Sequence, residues 1–186
     1  MADIKKGLKK IWYVEYSGMQ NKALHKNAGE TGLTYKGIYQ TAHPTWEGWS
    51  IINTFVDKFN GDLESASLSL FNDETLEKLV EKFYKMKFWD RMRLDKINSQ
   101  CIAEEMFVFG VNVGNKIAIQ AAQKVVGTIV DGIIGPITID TINKYDEKEF
   151  SSKYDIEEIA YYTKLVGKNP KFTPYLNGWV NRANTI

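Results

Sequence analysis

One cysteine in 186 residues, Cys101, excludes an intrachain disulfide and a cysteine-rich metal centre. Its neighbours Ile102 and Met106 predict a buried thiol, not a nucleophile. Histidine is almost as scarce. His25 and His43 do not form a metal-ligand pattern such as H-E-x-x-H, so neither a metal nor any other cofactor is implied. A dominant charge is missing too. With 24 basic and 23 acidic residues the net charge is +1, which gives no electrostatic ground for nucleic acid or an anionic membrane as the main partner. No apolar run is long enough to span a membrane. The first residues, Met1-Ala2-Asp3-Ile4-Lys5-Lys6, lead into an amphipathic helix, not a signal-peptide core. The expectation is a soluble monomer made in the cytoplasm, with no membrane insertion. What is present is ordinary for a globular protein: 44% hydrophobic and 25% charged residues, enough for one domain or two small ones. Five Trp, ten Tyr and nine Phe suit a carbohydrate cleft and an aromatic core equally well.

Helical spacing dominates the chain. A first helix is predicted over 3–16, broken by Gly18. Residues 18–43 are loop-like, with short strand about 33–39. After Pro44, Trp49, Ile52, Phe55, Val56 and Phe59 share one face of a helix that Asn60-Gly61 stops. Asn72 or Asp73 is placed to cap a helix with the stripe Leu76, Leu79, Val80, Phe83 and Met86. Ser99 is placed to cap a strongly apolar helix over 100–113, apolar around most of its circumference and therefore central. Helices over 116–126 and 136–145 follow. Asp155 and Glu158 read as a capping box for the last long helix, which ends at Gly167. No repeat or flexible linker appears. The fold class is all-α, with at most a minor short hairpin, as a bundle around the central buried helix.

Glu15 stands out because it interrupts an apolar stripe. Ile4, Leu8 and Ile11 run along one helical face, and position 15 is next on it, flanked by Trp12 and Tyr16. A carboxyl group on the apolar side of a helix is costly unless it is neutral or well paired, and desolvation is how an acid is kept protonated near neutral pH. Glu15 is the candidate general acid. A glutamate at a helix end, turned into water, fits the same spacing.

Behind Glu15 lies the glycine-rich loop Gly29-Glu30-Thr31-Gly32-Leu33-Thr34-Tyr35-Lys36-Gly37-Ile38. A glutamate ending the first helix, followed by a loop of the form G-G-x-T-x-x-G-I, resembles glycoside hydrolase family 108. These are lysozyme-type N-acetylmuramidases common among phage endolysins. The family's E-G-G-Y motif is matched by Glu15-Tyr16-Ser17-Gly18, with both adjacent glycines replaced. The family's usual aspartate has no counterpart between Glu15 and Thr34. Glu30 is the only carboxylate of the loop and the first choice as catalytic partner. His25 is the alternative base, with Thr31 or Thr34 orienting a water. Further along, Phe88-Trp89-Asp90 and Phe109-Gly110-Val111-Asn112-Val113-Gly114 resemble family segments, with Gly110 in place of an aspartate. Val130-Asp131-Gly132-Ile133-Ile134-Gly135-Pro136-Ile137-Thr138 is similar to a peptidoglycan-binding region often attached to this family. Asn177-Gly178-Trp179-Val180-Asn181-Arg182 resembles its terminal G-W-x-N-R.

The resemblance implies a catalytic region over 1–95 and a peptidoglycan-binding-like helical region over 96–186, packed as one body. It implies cleavage of the β-1,4 bond between N-acetylmuramic acid and N-acetylglucosamine in peptidoglycan glycan strands. The expected site has Glu15, Glu30 and Thr34 in catalysis and His25, Tyr35, Trp49, Trp89 and Asn112 against substrate, with Trp46 a further groove candidate. Such a protein reaches the wall through a holin-like pore or on lysis. A non-catalytic wall-binding or secretion-associated protein, and a lytic transglycosylase, are the competing readings.

Overall fold

The computed structural model describes residues 1–16 and 18–183, with Val14 described by its backbone alone. The chain is mostly helical with one minor sheet, as the sequence predicts. It divides into two compact units. One comprises Ile11–Tyr84, and the other Met1–Lys10 with Lys85–Ile186.

The first helix, α1 (Ile4–Tyr16), belongs by its two halves to the two units. In the Ile11–Tyr84 unit it is followed by a three-stranded antiparallel sheet: β1 (Leu24–His25), β2 (Thr34–Tyr35) and β3 (Ile38–Tyr39). β2 and β3 form a hairpin closed by Lys36 and Gly37, with φ of 46° and 83°. Two positive φ values define the two-residue turn that matches strand twist, and glycine at its second position is the usual solution. Three helices complete the unit: α2 (Gly48–Lys58), α3 (Leu63–Leu70) and α4 (Glu74–Tyr84). Asp73 caps α4 through Leu76 N–H at 2.7 Å, and Asn60 and Gly61 end α2 in the left-handed region.

Sequence spacing does not predict α3. Its segment, Leu63-Glu64-Ser65-Ala66-Ser67-Leu68-Ser69-Leu70, carries three serines, which compete for backbone hydrogen bonds and weaken a helix signal. Asp62 supplies the start by accepting from the N–H groups of Glu64 and Ser65. Ser67 then justifies its place. Buried, it accepts from Leu24 N–H at 3.0 Å and donates to Gln20 C=O at 2.6 Å, which ties β1 to the helix.

The second unit is built on α5 (Gln100–Val113), which is buried without a break from Glu105 to Gly110 and is the expected central helix. Ser99 caps it by accepting from Ile102 N–H at 3.1 Å. Against it pack α6 (Asn115–Val126) and α8 (Glu147–Lys168), with α7 (Pro136–Asn143) beside α6 and α9 (Thr173–Ala183) beside α8. Gly7 lets the start of α1 approach closely. A Cβ there would stand 2.9 Å from the Trp89 ring and 3.0 Å from that of Phe107.

Two local readings need correction. Asp155 and Glu158 do not begin the last long helix. α8 starts at Glu147, capped by Asp146, whose carboxylate accepts from Glu149 N–H at 2.9 Å. Met86 is exposed, off the stripe of α4, because the helix changes to π winding over Lys85–Trp89 and the extra residue per turn rotates it outward.

Candidate active site

Glu15 lies at the C-terminal end of α1, half-buried. The hairpin turn is set directly on it. A Cβ at Gly37 would stand 3.1 Å from Glu15 Cγ and 2.6 Å from Tyr84 Oη, so only glycine fits there. Tyr84 is fully buried, and its hydroxyl donates to Lys36 C=O at 2.7 Å. Burial first, then the Glu15 charge, push the Tyr84 phenol far up, so it serves as a neutral donor. The carboxyl of Glu15 thus sits beside a fixed phenol and the backbone of a glycine turn.

A buried cation holds that turn. The Lys36 side chain is 2% exposed and pairs with Glu77 of α4, which is 35% exposed. Its ammonium stands over the rings of Phe71 (4.4 Å), Trp12 (5.4 Å) and Tyr35 (5.7 Å). Desolvation lowers the Lys36 pKa, and the hydrogen bond and charge of Glu77 oppose that. Tyr16 packs edge-on against Phe71, its hydroxyl buried without a partner among the described residues. Burial, then the Glu77 charge, raise its pKa.

The other predicted residues fall in distinct places. His25 and Thr34 face each other across β1 and β2. His25 Nδ1 lies 3.0 Å from Lys22 C=O, and the Thr34 hydroxyl is buried without a partner among the described residues. Glu30 accepts from Asn27 Nδ2 at 3.1 Å inside its own turn, and Thr31 Oγ1 lies 3.4 Å from Thr41 Oγ1. Ser17, part of the glutamate motif, lies outside the described residues. Tyr35 and Trp49 are core residues, 0% and 4% exposed, bonded to Leu70 C=O (3.2 Å) and His43 C=O (2.8 Å). Both side chains lie in the interior of the unit. Aromatic residues at these spacings fill the interior first. Trp46 keeps a partly exposed ring, packed edge-on to Trp49 at 5.1 Å.

Trp89 and Asn112 belong to the other unit. Trp89, 2% exposed, packs edge-on against Phe107 at 5.2 Å and is likewise a core residue. Asn112 donates through Nδ2 to the Tyr162 hydroxyl, so its amide is engaged at the junction of α5 and α6. The Asp131-Gly132 turn is held by buried Gln123. Its Nε2 donates to Asp131 Oδ1 (2.7 Å) and Ile133 C=O (3.0 Å), and its Oε1 accepts from Gly132 N–H (2.8 Å). The Gln123 amide, then Ile133 N–H donating to Asp131 Oδ1 at 2.8 Å, hold the Asp131 carboxyl below its usual range. Cys101 is half-buried where the sequence predicts a buried thiol, and burial and then Glu105 push its thiol up to about 12, away from thiolate character at neutral pH.

Sequence reasoning missed Lys36, Glu77 and Tyr84. The Lys36-Gly37 pair between two short β-prone runs was a readable turn signal. Nothing local marks Tyr84 or Glu77, which reach the turn from α4. It also missed the carboxyls of Glu105 and Glu158, both buried in the other unit.

Among known proteins, the family described as Glycosyl hydrolase 108 matches residues 19–114. That described as Predicted Peptidoglycan domain matches residues 117–184. Glu15 lies just before the first matched span. No curated protein matches the chain. The solved structure of Brucella abortus SagA is similar with a TM-score of 0.63 at 16% identity, over 98% of this chain and 91% of that one, a likeness of fold.

Proposed function

This chain belongs to the glycosyl hydrolase 108 family and is a glycoside hydrolase of peptidoglycan, and we propose that it cleaves the β-1,4 bond between N-acetylmuramic acid and N-acetylglucosamine with Glu15 as general acid. One observation carries the assignment to Glu15. The Gly37 turn and the Tyr84 phenol meet at this one carboxyl at the end of α1, and the Lys36–Glu77 pair fastens that turn to α4. Such packing limits the side chain's freedom, and a fixed acid beside a scissile oxygen is what glycoside cleavage requires. Glu30 remains the proposed partner and His25 the alternative base. The place of action is the cell wall, reached on lysis or through a pore of the holin kind.

The test is digestion of purified walls by wild type, Glu15→Gln and Glu30→Gln side by side. Loss of a general acid costs about 10²–10⁴-fold in rate. Glu15→Gln should lose clearing on that scale, with Glu30→Gln reduced less. Clearing by Glu15→Gln at the wild-type rate sinks the assignment. Mass spectrometry of the fragments separates reducing muramic ends, expected here, from the anhydro ends of a transglycosylase.

A further inference from the structure

Between α6 and α8 lies a cleft of about 550 Å³. That volume suits a short peptide or a small organic ligand. Its walls are mainly apolar: Ile117 and Ala121 from α6, Tyr161 and Leu165 from α8, and Val130 from the loop after α6. The Tyr161 ring is braced edge-on by Phe109 at 5.8 Å. The rim is basic. Lys124 is engaged by Glu157 at 2.6 Å, but Lys164 and Lys168 make no ion pair with any described residue. Those two stand one turn apart near the end of α8. Lysines there also suit the negative end of a helix, but that accounts for neither the cavity nor its apolar walls.

We propose that this cleft binds the peptide part of peptidoglycan. Lys164 and Lys168 pair with its free carboxylates, and the apolar walls take its alanine methyls. The proposal rests on the reading that peptidoglycan is the substrate. Every lining residue but Phe109 lies within the span matched by the Predicted Peptidoglycan domain. The cleft's chemistry favours peptide over sugar. A glycan strand brings many neutral hydroxyl and acetamido groups, whereas the uncharged polar lining is Gln120 and the Tyr161 hydroxyl. A stem peptide brings several carboxylates, which two cations over an apolar floor match.

The test titrates the full chain with the tetrapeptide L-Ala-γ-D-Glu-meso-diaminopimelate-D-Ala and follows backbone amide NMR shifts. The tetrapeptide should move the amides of Ala121, Val130, Tyr161 and Leu165. Amidating its carboxylates should weaken binding about tenfold or more, as should the double variant Lys164→Gln/Lys168→Gln. Both lysines are exposed, so the variant should melt with wild type. Unmoved cleft amides overturn the proposal, and so does equal binding of the amidated peptide. Tighter binding of chitotetraose in the cleft does the same, as does lysine-dependent capture by phosphatidylglycerol vesicles without any peptide effect. Wall clearing separates this from the hydrolase reading. Clearing without peptide binding sinks the cleft alone, and peptide binding without clearing sinks the assigned cleavage alone.

Discussion

Gly37 is the residue on which the local geometry of Glu15 turns. Its φ of 83° already excludes most side chains, and a Cβ would meet Tyr84 Oη at 2.6 Å and Glu15 Cγ at 3.1 Å. Gly37→Ala should therefore act twice. It should cost about 1–3 kcal/mol in backbone strain, read as a lower melting temperature. It should also depress wall clearing more than that stability loss explains, because the added methyl displaces the carboxyl itself. Clearing that tracks only the folded fraction would detach Gly37 from the site. Glu15 was legible in the sequence as a candidate because a carboxylate in an apolar stripe is an anomaly that periodicity exposes. Tyr84 was not. It looks like one more aromatic on a helix, and its role comes from a hydrogen bond 48 residues away in the chain. Tyr35, Trp49 and Trp89 show the converse, since aromatic identity fits a groove and a core equally and the interior claimed all three.

At the scale of elements, the Lys36–Glu77 pair fastens the β2–β3 hairpin to α4. Its two halves are unequal. Removing Glu77 strands an ammonium that is 2% exposed, whereas removing the Lys36 charge leaves a carboxylate that is 35% exposed and can be hydrated. Glu77→Gln should therefore destabilise the fold more than Lys36→Met, with the former costing about 3 kcal/mol. Urea unfolding of the two variants checks the order, and equal losses would mean that Lys36 is solvated. The hairpin's place was legible from β-prone residues around Lys36-Gly37. Helix α3 was not, because its serines read as loop until Ser67 is seen bonding to both Leu24 and Gln20. The α4 stripe was right as far as Phe83 and failed at Met86, since no periodicity argument foresees a π turn.

For the whole molecule, the strongest consequence is a stability that favours mildly acidic solution. Glu105 on α5 and Glu158 on α8 are both buried. Glu105 receives a hydrogen bond from the Ser151 hydroxyl and lies 3.6 Å from Cys101 Sγ, while its Oε2 is buried without a partner among the described residues. Desolvation, with Asp155 and Glu147 adding charge and Ser151 and Cys101 opposing, raises the Glu105 pKa to about 7. Desolvation, then Asp155 and Glu105, raise Glu158 to about 9 against the opposing charge of Arg182 on α9. Burial raises Asp155 as well. A carboxyl with a raised folded pKa keeps its full contribution below its ordinary value of 4.5 and loses it as pH rises through the folded one. The loss should run from about pH 5 to 7 for Glu105 and on toward 9 for Glu158, several kcal/mol at order of magnitude. Asp62, Asp131 and Glu149, whose pKa values are lowered by their hydrogen bonds, act oppositely and set an acid limb below their ordinary range. The melting temperature should therefore peak near pH 5 and fall toward pH 9. Glu158→Gln, neutral at every pH, should flatten the alkaline limb and melt higher than wild type at pH 9. A wild-type melting temperature that holds level or rises between pH 5 and 9 would show that these carboxyls ionise in the folded chain without penalty.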